Sequence, residues 1–226
     1  RILIDRTRKG VEVKLKTEQA AYRKGRETAK QVFILRNILE QSIEWQASLY
    51  INFIDFQKAF DSIDRTKLWT ILRHYGIPHV FIELIKGIYY GSTSCVINGG
   101  NISEWFSVET GVRQGCVMSG FLFLIAVDWV MYNPTRDYKR GIRWKFTSTL
   151  EDLDYADDLA LLSSKHHDIQ EKTNRLNKIA NYIGLNINTN KTKIIRINNR
   201  NNCSVKIEDK NLEDVNTFIY LGTTLD

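Results

Sequence analysis

Two stretches of this 226-residue chain run apolar and then stop at carboxylates, and that pattern restricts the fold more than any other feature. Leu49-Tyr50-Ile51-Asn52-Phe53-Ile54 reads as a strand that delivers Asp55 at its end. Leu150 to Leu162 reads as a hairpin with Ala156-Asp157-Asp158 at its tip and Leu159-Ala160-Leu161-Leu162 returning. A strand end and a hairpin tip can face one cleft. Carboxylates that meet there repel unless neutralised, and the usual neutraliser is Mg²⁺. Two such ions about 3.5–4 Å apart form the standard clamp for in-line phosphoryl transfer. Asp157-Asp158 by itself reads as a turn, since Asp forms turns well, and Asp55 by itself as a helix cap. The combination carries the metal reading.

The rest of the chain fits a folded domain. Hydrophobic residues make up 43% and charged residues 26%, which excludes a disordered chain. The longest apolar stretch, Phe121 to Val127, stops at Asp128, short of the ~18 residues that a membrane span needs, so no membrane is expected as a partner. Cys95, Cys116 and Cys203 are scattered without C-x-x-C spacing and read as reduced thiols of an intracellular protein. The net charge of +6 is concentrated: residues 1–36 hold 11 Lys/Arg against 4 Asp/Glu, and the remainder is near neutral. Such a basic arm suits a polyanion partner, and equally a solvated, charged first helix.

Periodicity predicts a helix over residues 18–44. It predicts a second from Asp64 to Tyr75, closed by Gly76. Cys95 to Asn101 reads as a strand entering a hairpin turn, with Trp105 to Val108 returning. Ser119 reads as the cap of a buried helix reaching about Met131. Ile169 to Ile183 is a helix ended by Gly184, and short strand pieces follow. Helices and strands mix without strict alternation, which predicts an α+β fold.

Six segments, in order, then resemble one family. Phe53-Ile54-Asp55-Phe56-Gln57-Lys58-Ala59-Phe60-Asp61 is similar to its motif A, and Thr110-Gly111-Val112-Arg113-Gln114-Gly115-Cys116-Val117-Met118-Ser119 to its motif B. Tyr155-Ala156-Asp157-Asp158 matches motif C without departure. Gly184-Leu185-Asn186-Ile187-Asn188-Thr189-Asn190-Lys191-Thr192-Lys193 resembles motif D, and Phe218-Ile219-Tyr220-Leu221-Gly222 resembles motif E. Gln19-Ala20-Ala21-Tyr22-Arg23-Lys24-Gly25-Arg26-Glu27-Thr28 resembles a fingers motif, with Ala21 for Gly and Glu27 for Ser. The chain thus resembles the reverse transcriptase domain of non-LTR (LINE-type) retrotransposons.

That resemblance implies a right-hand reverse transcriptase fold: an α+β polymerase palm, an antiparallel sheet backed by helices, with partial fingers. Residues 1–48 and 65–108 would be mainly fingers, and 49–64 and 109–226 mainly palm. Upstream fingers motifs, an endonuclease and most of a thumb are not in this sequence. Since it begins at Arg1 and stops just after an apolar run, it is expected to be a truncated part of a longer polypeptide.

The implied activity is RNA-directed DNA polymerisation, transferring dNTPs to a DNA primer 3′-hydroxyl on an RNA template in retrotransposition. Two Mg²⁺ ions would serve it, with Mn²⁺ able to substitute. The implied metal ligands are Asp55, the Phe56 carbonyl, Asp157 and Asp158, with Lys191 or Lys193 as the cation beside pyrophosphate. Phe60 matches the ring that excludes a 2′-hydroxyl. Arg113, Gln114 and Gly115 would contact the nucleotide. Arg23, Lys24 and Arg26 would meet phosphates, and Tyr220, Leu221 and Gly222 would grip the primer. Gly120 stands where the family has Pro. The family also implies nucleus and cytoplasm as the location. A catalytically silent element remnant that only binds nucleic acid, and a group II intron maturase-type reverse transcriptase, are the alternatives.

Overall fold

The computed structural model describes residues 2–23, 25–135, 140–145, 148–199 and 203–225. In chain order its main elements are α1 (Ile2–Glu12), α2 (Thr28–Glu44), β1 (Leu49–Ile54), α3 (Arg65–His74), α4 (His79–Tyr89), α5 (Val117–Thr135), β2 (Asp152–Tyr155), β3 (Asp158–Ser163), α6 (His166–Tyr182), β4 (Lys193–Ile197) and β5 (Glu213–Asp214). The strands form one sheet in the order β5-β4-β1-β3-β2, antiparallel except for the β4–β5 edge. Short two-stranded hairpins decorate it. This is the expected α+β class.

Strand β1 is apolar at almost every position because the sheet is covered on both faces. Tyr50 and Ile54, with Leu159, Leu161 and Ile194, pack into a core built with Phe123, Ile169 and Leu176 from α5 and α6. Leu49, Ile51 and Phe53, with Ala160, Leu162 and Ile195, face the other way onto Leu35, Ile38 and Leu39 of α2. The one polar residue within β1, Asn52, is fully buried and donates to the Thr173 hydroxyl at 2.9 Å.

Two expectations need correction. The helix expected from residue 18 begins at Thr28, because residues 13–23 and 25–27 are non-helical and held by tertiary contacts. Ser119 does not cap α5; the helix starts at Val117, and the Ser119 hydroxyl is buried against that of Tyr89 at 3.1 Å. Over Val117–Pro134, α5 is long and apolar enough by composition to cross a membrane, although no continuous apolar run in the sequence approaches that length. Yet 78% of that window is buried inside the protein, so its apolar content serves the core.

Other elements fall where expected, one hairpin only in part. Asp64 caps α3 by accepting from the Lys67 amide at 3.0 Å. Gly99 and Gly100, both at positive φ, turn the hairpin, but Asn101–Ile102 is already the return strand of Ile97–Asn98, and Phe106–Ser107, within the expected return strand, pairs with Thr93–Ser94.

Candidate active site

The register of the sheet brings the acids together. Ile54 pairs with Leu159 and Tyr155 with Asp158, so Asp55 and Asp158 continue neighbouring strands at one edge. Adjacent antiparallel positions lie about 4.5–5.5 Å apart. The turn itself is Ala156-Asp157, with Ala156 at φ +56; Asp158 opens β3 rather than belonging to the tip.

The Asp55 main chain is fixed by motif D: its amide donates to the Thr192 hydroxyl at 3.2 Å, and its carbonyl accepts from the Asn188 amide at 2.8 Å. Its Oδ1 is buried without a hydrogen-bond partner. Burial pushes the Asp55 carboxyl up, and Asp157 adds to this, while Lys191 and Asn188 oppose it. Burial likewise raises Asp158, with Asp157 and Asp55 as further causes.

Among the described residues no group of three His, Cys, Asp or Glu closes tightly enough to hold a metal ion alone. Mg²⁺, however, is ordinarily held by one or two carboxylates and completed by substrate phosphates. An orphaned buried oxygen on Asp55, with the Asp157 and Asp158 carboxylates beside it, has the donor chemistry for such a cation.

Motifs A and B are sewn together through the backbone. The Gly111 amide donates to the Ile63 carbonyl at 2.7 Å, and Val112 to Phe60 at 2.6 Å. Gly111 is at φ +75, and a Cβ there would lie 2.6 Å from the Asp61 backbone. A cleft of about 510 Å³ opens beside this seam, lined by Tyr22, Phe60, Gln114, Gly115, Cys116, Val117 and Gly120. The Phe60 ring is half-buried and stacked on Phe123 at 4.2 Å. The Gln114 amide points at the Asp61 carboxylate at 3.4 Å. A larger cleft, about 850 Å³, lies by His166, Gln170 and Lys206 and contains none of the expected site residues.

Motif D pairs with motif A just past the acid, Asn186 with Gln57 and Ile187 with Phe56. Of its two lysines, Lys193 is tied to Glu213 at 2.5 Å, while Lys191 is the one whose charge acts on Asp55.

Several carried-over residues stand elsewhere than the resemblance implies. The Arg113 guanidinium bonds the Ile88 carbonyl and Ser92 hydroxyl and stacks over Tyr89, fastening motif B to α4 rather than reaching the cleft. The Arg23 side chain is buried and clamps its own loop: Nε meets Glu12 at 2.7 Å, and the guanidinium donates to the Lys16 and Gln19 carbonyls. Tyr220 is buried against Phe53, leaving Ile219 and the Leu221–Gly222 turn of motif E at the surface. Arg26 stays exposed and bonds the Thr17 carbonyl. Lys24 lies outside the described residues.

Sequence reasoning missed Asn188 and Thr192, which hold Asp55, and Tyr22, which lines the cleft. The first two sit inside motif D, whose resemblance was the available signal. Nothing local marks Tyr22.

Comparison with known proteins bears on the family and the fold. The chain is 27% identical over 154 residues to the retrovirus-related Pol polyprotein of the type-2 retrotransposable element R2DM of Drosophila melanogaster, covering 68% of this chain and 14% of that protein. It is 26% identical over 181 residues to the Pol polyprotein of the R2 element of Popillia japonica, covering 76% of this chain and 30% of that one. The chain therefore spans well under a third of the first relative's length. Among solved structures, apo telomerase from Candida tropicalis truncated from its C-terminal domain superposes with a TM-score of 0.66 at 17% identity, over 99% of this chain and 44% of that one. Telomerase from Candida albicans, solved in complex with a fragment of telomeric RNA, gives 0.62 at 14%, over 99% and 35%. These likenesses support the fold, and the R2 relatives agree with a non-LTR reverse transcriptase domain. Residues 1–225 match the family described as reverse transcriptase (RNA-dependent DNA polymerase), and the chain belongs to it.

Proposed function

We propose that this chain carries the polymerising centre of a retroelement protein, adding deoxynucleotides to a DNA primer 3′-hydroxyl on an RNA template. The observation that carries the reading is the meeting of Asp55, Asp157 and Asp158 at one sheet edge beside a cleft walled by Phe60 and Gln114. Asp55, the Phe56 carbonyl, Asp157 and Asp158 would hold Mg²⁺, which when bound would offset the charge that develops on the attacking and leaving oxygens.

The protein's own groups do the rest. Asp61 orients Gln114 toward the cleft, and the backbone seam between motifs A and B keeps Gly115 open to the nucleotide. Phe60, braced by Phe123, leaves no room for a 2′-hydroxyl. Lys191 puts a cation beside the departing pyrophosphate; Lys193 is committed to Glu213 and is the weaker choice.

The test is dTTP incorporation on poly(rA)/oligo(dT) with Mg²⁺, beside the Asp157→Ala, Asp158→Ala double variant. Incorporation that the double variant abolishes supports the reading. No incorporation, or activity that survives the double substitution, sinks it.

A further inference from the structure

In the loop before α2, residues 19–23 are held by several contacts while the Tyr22 side chain stays exposed. Arg23 clamps it to Glu12 and to two of its own carbonyls. The Ala21 amide donates to the Gln19 side chain at 3.0 Å, and the Ala20 amide to the Asp154 carbonyl at 2.9 Å. Arg8 holds the Tyr22 carbonyl at 3.0 Å. Ala20 and Ala21 are buried, yet the Tyr22 side chain between Ala21 and Arg23 is 44% exposed and lines the cleft that also holds Phe60, Gln114 and Gly115. Its backbone is left-handed, φ +55, a conformation that costs a tyrosine energy and persists only because the clamps enforce it. Gly120 gives the ring its place: a Cβ there would lie 2.9 Å from Tyr22 Cε1. That contact accounts for glycine where the family has proline.

We propose that Tyr22 is a positioning residue for the nascent base pair, its ring forming the cleft wall against which the incoming deoxynucleotide and its templating base are seated. The inference rests on the polymerase reading of this site. A polymerase must accept every base, so the contact has to be indifferent to sequence, and an aromatic face meets that need because every base has a π-face. The ring is also on the correct side of the site, since it shares its cleft with Phe60 and Gln114.

The test reads binding without chemistry: an RNA template with 2-aminopurine at the templating position, a dideoxy-terminated DNA primer, Mg²⁺, and a dTTP titration followed by fluorescence. The ringless variant is Tyr22→Gly, since glycine suits the left-handed backbone and spares the fold. Tyr22→Gly is expected to raise half-saturating dTTP about tenfold and Tyr22→Phe less than about threefold. Gly120→Ala, which displaces the ring without removing it, should fall between them. In extension assays the same factor should appear in KM for dTTP, with kcat little changed, a split that a merely structural role would not produce. Half-saturation in Tyr22→Gly within about twofold of the original chain, or no dTTP-dependent signal in that chain, overturns the proposal. If extension fails while the dTTP-dependent signal persists, the catalytic reading falls and the role of Tyr22 is still decided.

Discussion

Replacing Lys16 by methionine should cost this protein more than any loss at the catalytic edge. Lys16 Nζ sits 2.5 Å from Asp152 and 3.9 Å from Asp154, and both aspartates are fully buried. Its own amide holds Asp128, buried inside α5, at 2.8 Å. Burial alone would lower the Lys16 pKa, but Asp152 and Asp154 outweigh it and raise it, so the ammonium neutralises the cluster. Burial, with Asp152 as the next cause, already holds Asp154 well above the usual carboxylate range. Breaking a buried pair by removing one partner costs about 3–5 kcal/mol. Unfolding entropy near 2.1 cal/mol/K per residue makes that a fall in Tm of roughly 6–10 °C for a chain of this size. The defect should also grow with pH. A carboxyl whose folded pKa lies above its unfolded value holds a proton that unfolding releases, so its folded form loses stability as pH rises above about 4. Melting of the original chain and Lys16→Met at pH 5 and pH 8, each with and without Asp154→Asn, checks this. A fall under about 2 °C, or one that is the same in the Asp154→Asn background, refutes the reasoning.

Other expectations follow from single contacts. Gly184→Ala forces a side chain at φ +87 to within 2.4 Å of the Ser62 carbonyl and should lose about 2–4 kcal/mol in a urea titration. Gly222→Ala, at φ +77 in open space, should lose only about 1 kcal/mol; equal losses would show that the Ser62 contact is irrelevant. Phe60→Val should raise ribonucleotide incorporation relative to deoxynucleotide, and unchanged selectivity would remove Phe60 from the sugar pocket. In EDTA at neutral pH, Asp158→Asn should raise Tm, because the folded Asp158 carboxyl is pushed up by burial and by its acidic neighbours and resists ionising. Mg²⁺ should stabilise the original chain more than this variant, and an equal effect on both would count against the metal assignment.

Strand β1 was legible because a sheet buried on both faces leaves a continuous apolar run, and its acid end stood out against that run. The motif C hairpin was legible for the same reason, apart from the one-residue shift that puts Asp158 in the strand. The loop before α2 was not legible: its residues suit a helix locally, and what prevents one is Arg23 reaching Glu12 and the main chain, a tertiary effect. Ser119 misled for a related reason, as its hydroxyl found Tyr89 instead of an amide. The resemblance identified motif residues without saying where their side chains point. Packing decided that Arg113, Arg23 and Tyr220 brace the scaffold. Asp128 was the overlooked clue: a charge in an otherwise apolar helix needs a buried partner, here Tyr75 at 2.5 Å and the Lys16 amide.

The strand order has a consequence for how the chain is made. Both neighbours of β1 arrive late, β3 more than a hundred residues downstream and β4 later still. At ribosomal rates of about 5–20 residues per second, a strand at residues 49–54 waits roughly 7–30 s for β4. Until β3 arrives a six-residue apolar strand has neither of its ladders, and until β4 arrives it has at most one; such a segment is prone to pair with other chains. Yield of this protein should therefore be governed by translation speed and by chaperones that shield nascent strands, more than by the stability of the finished sheet.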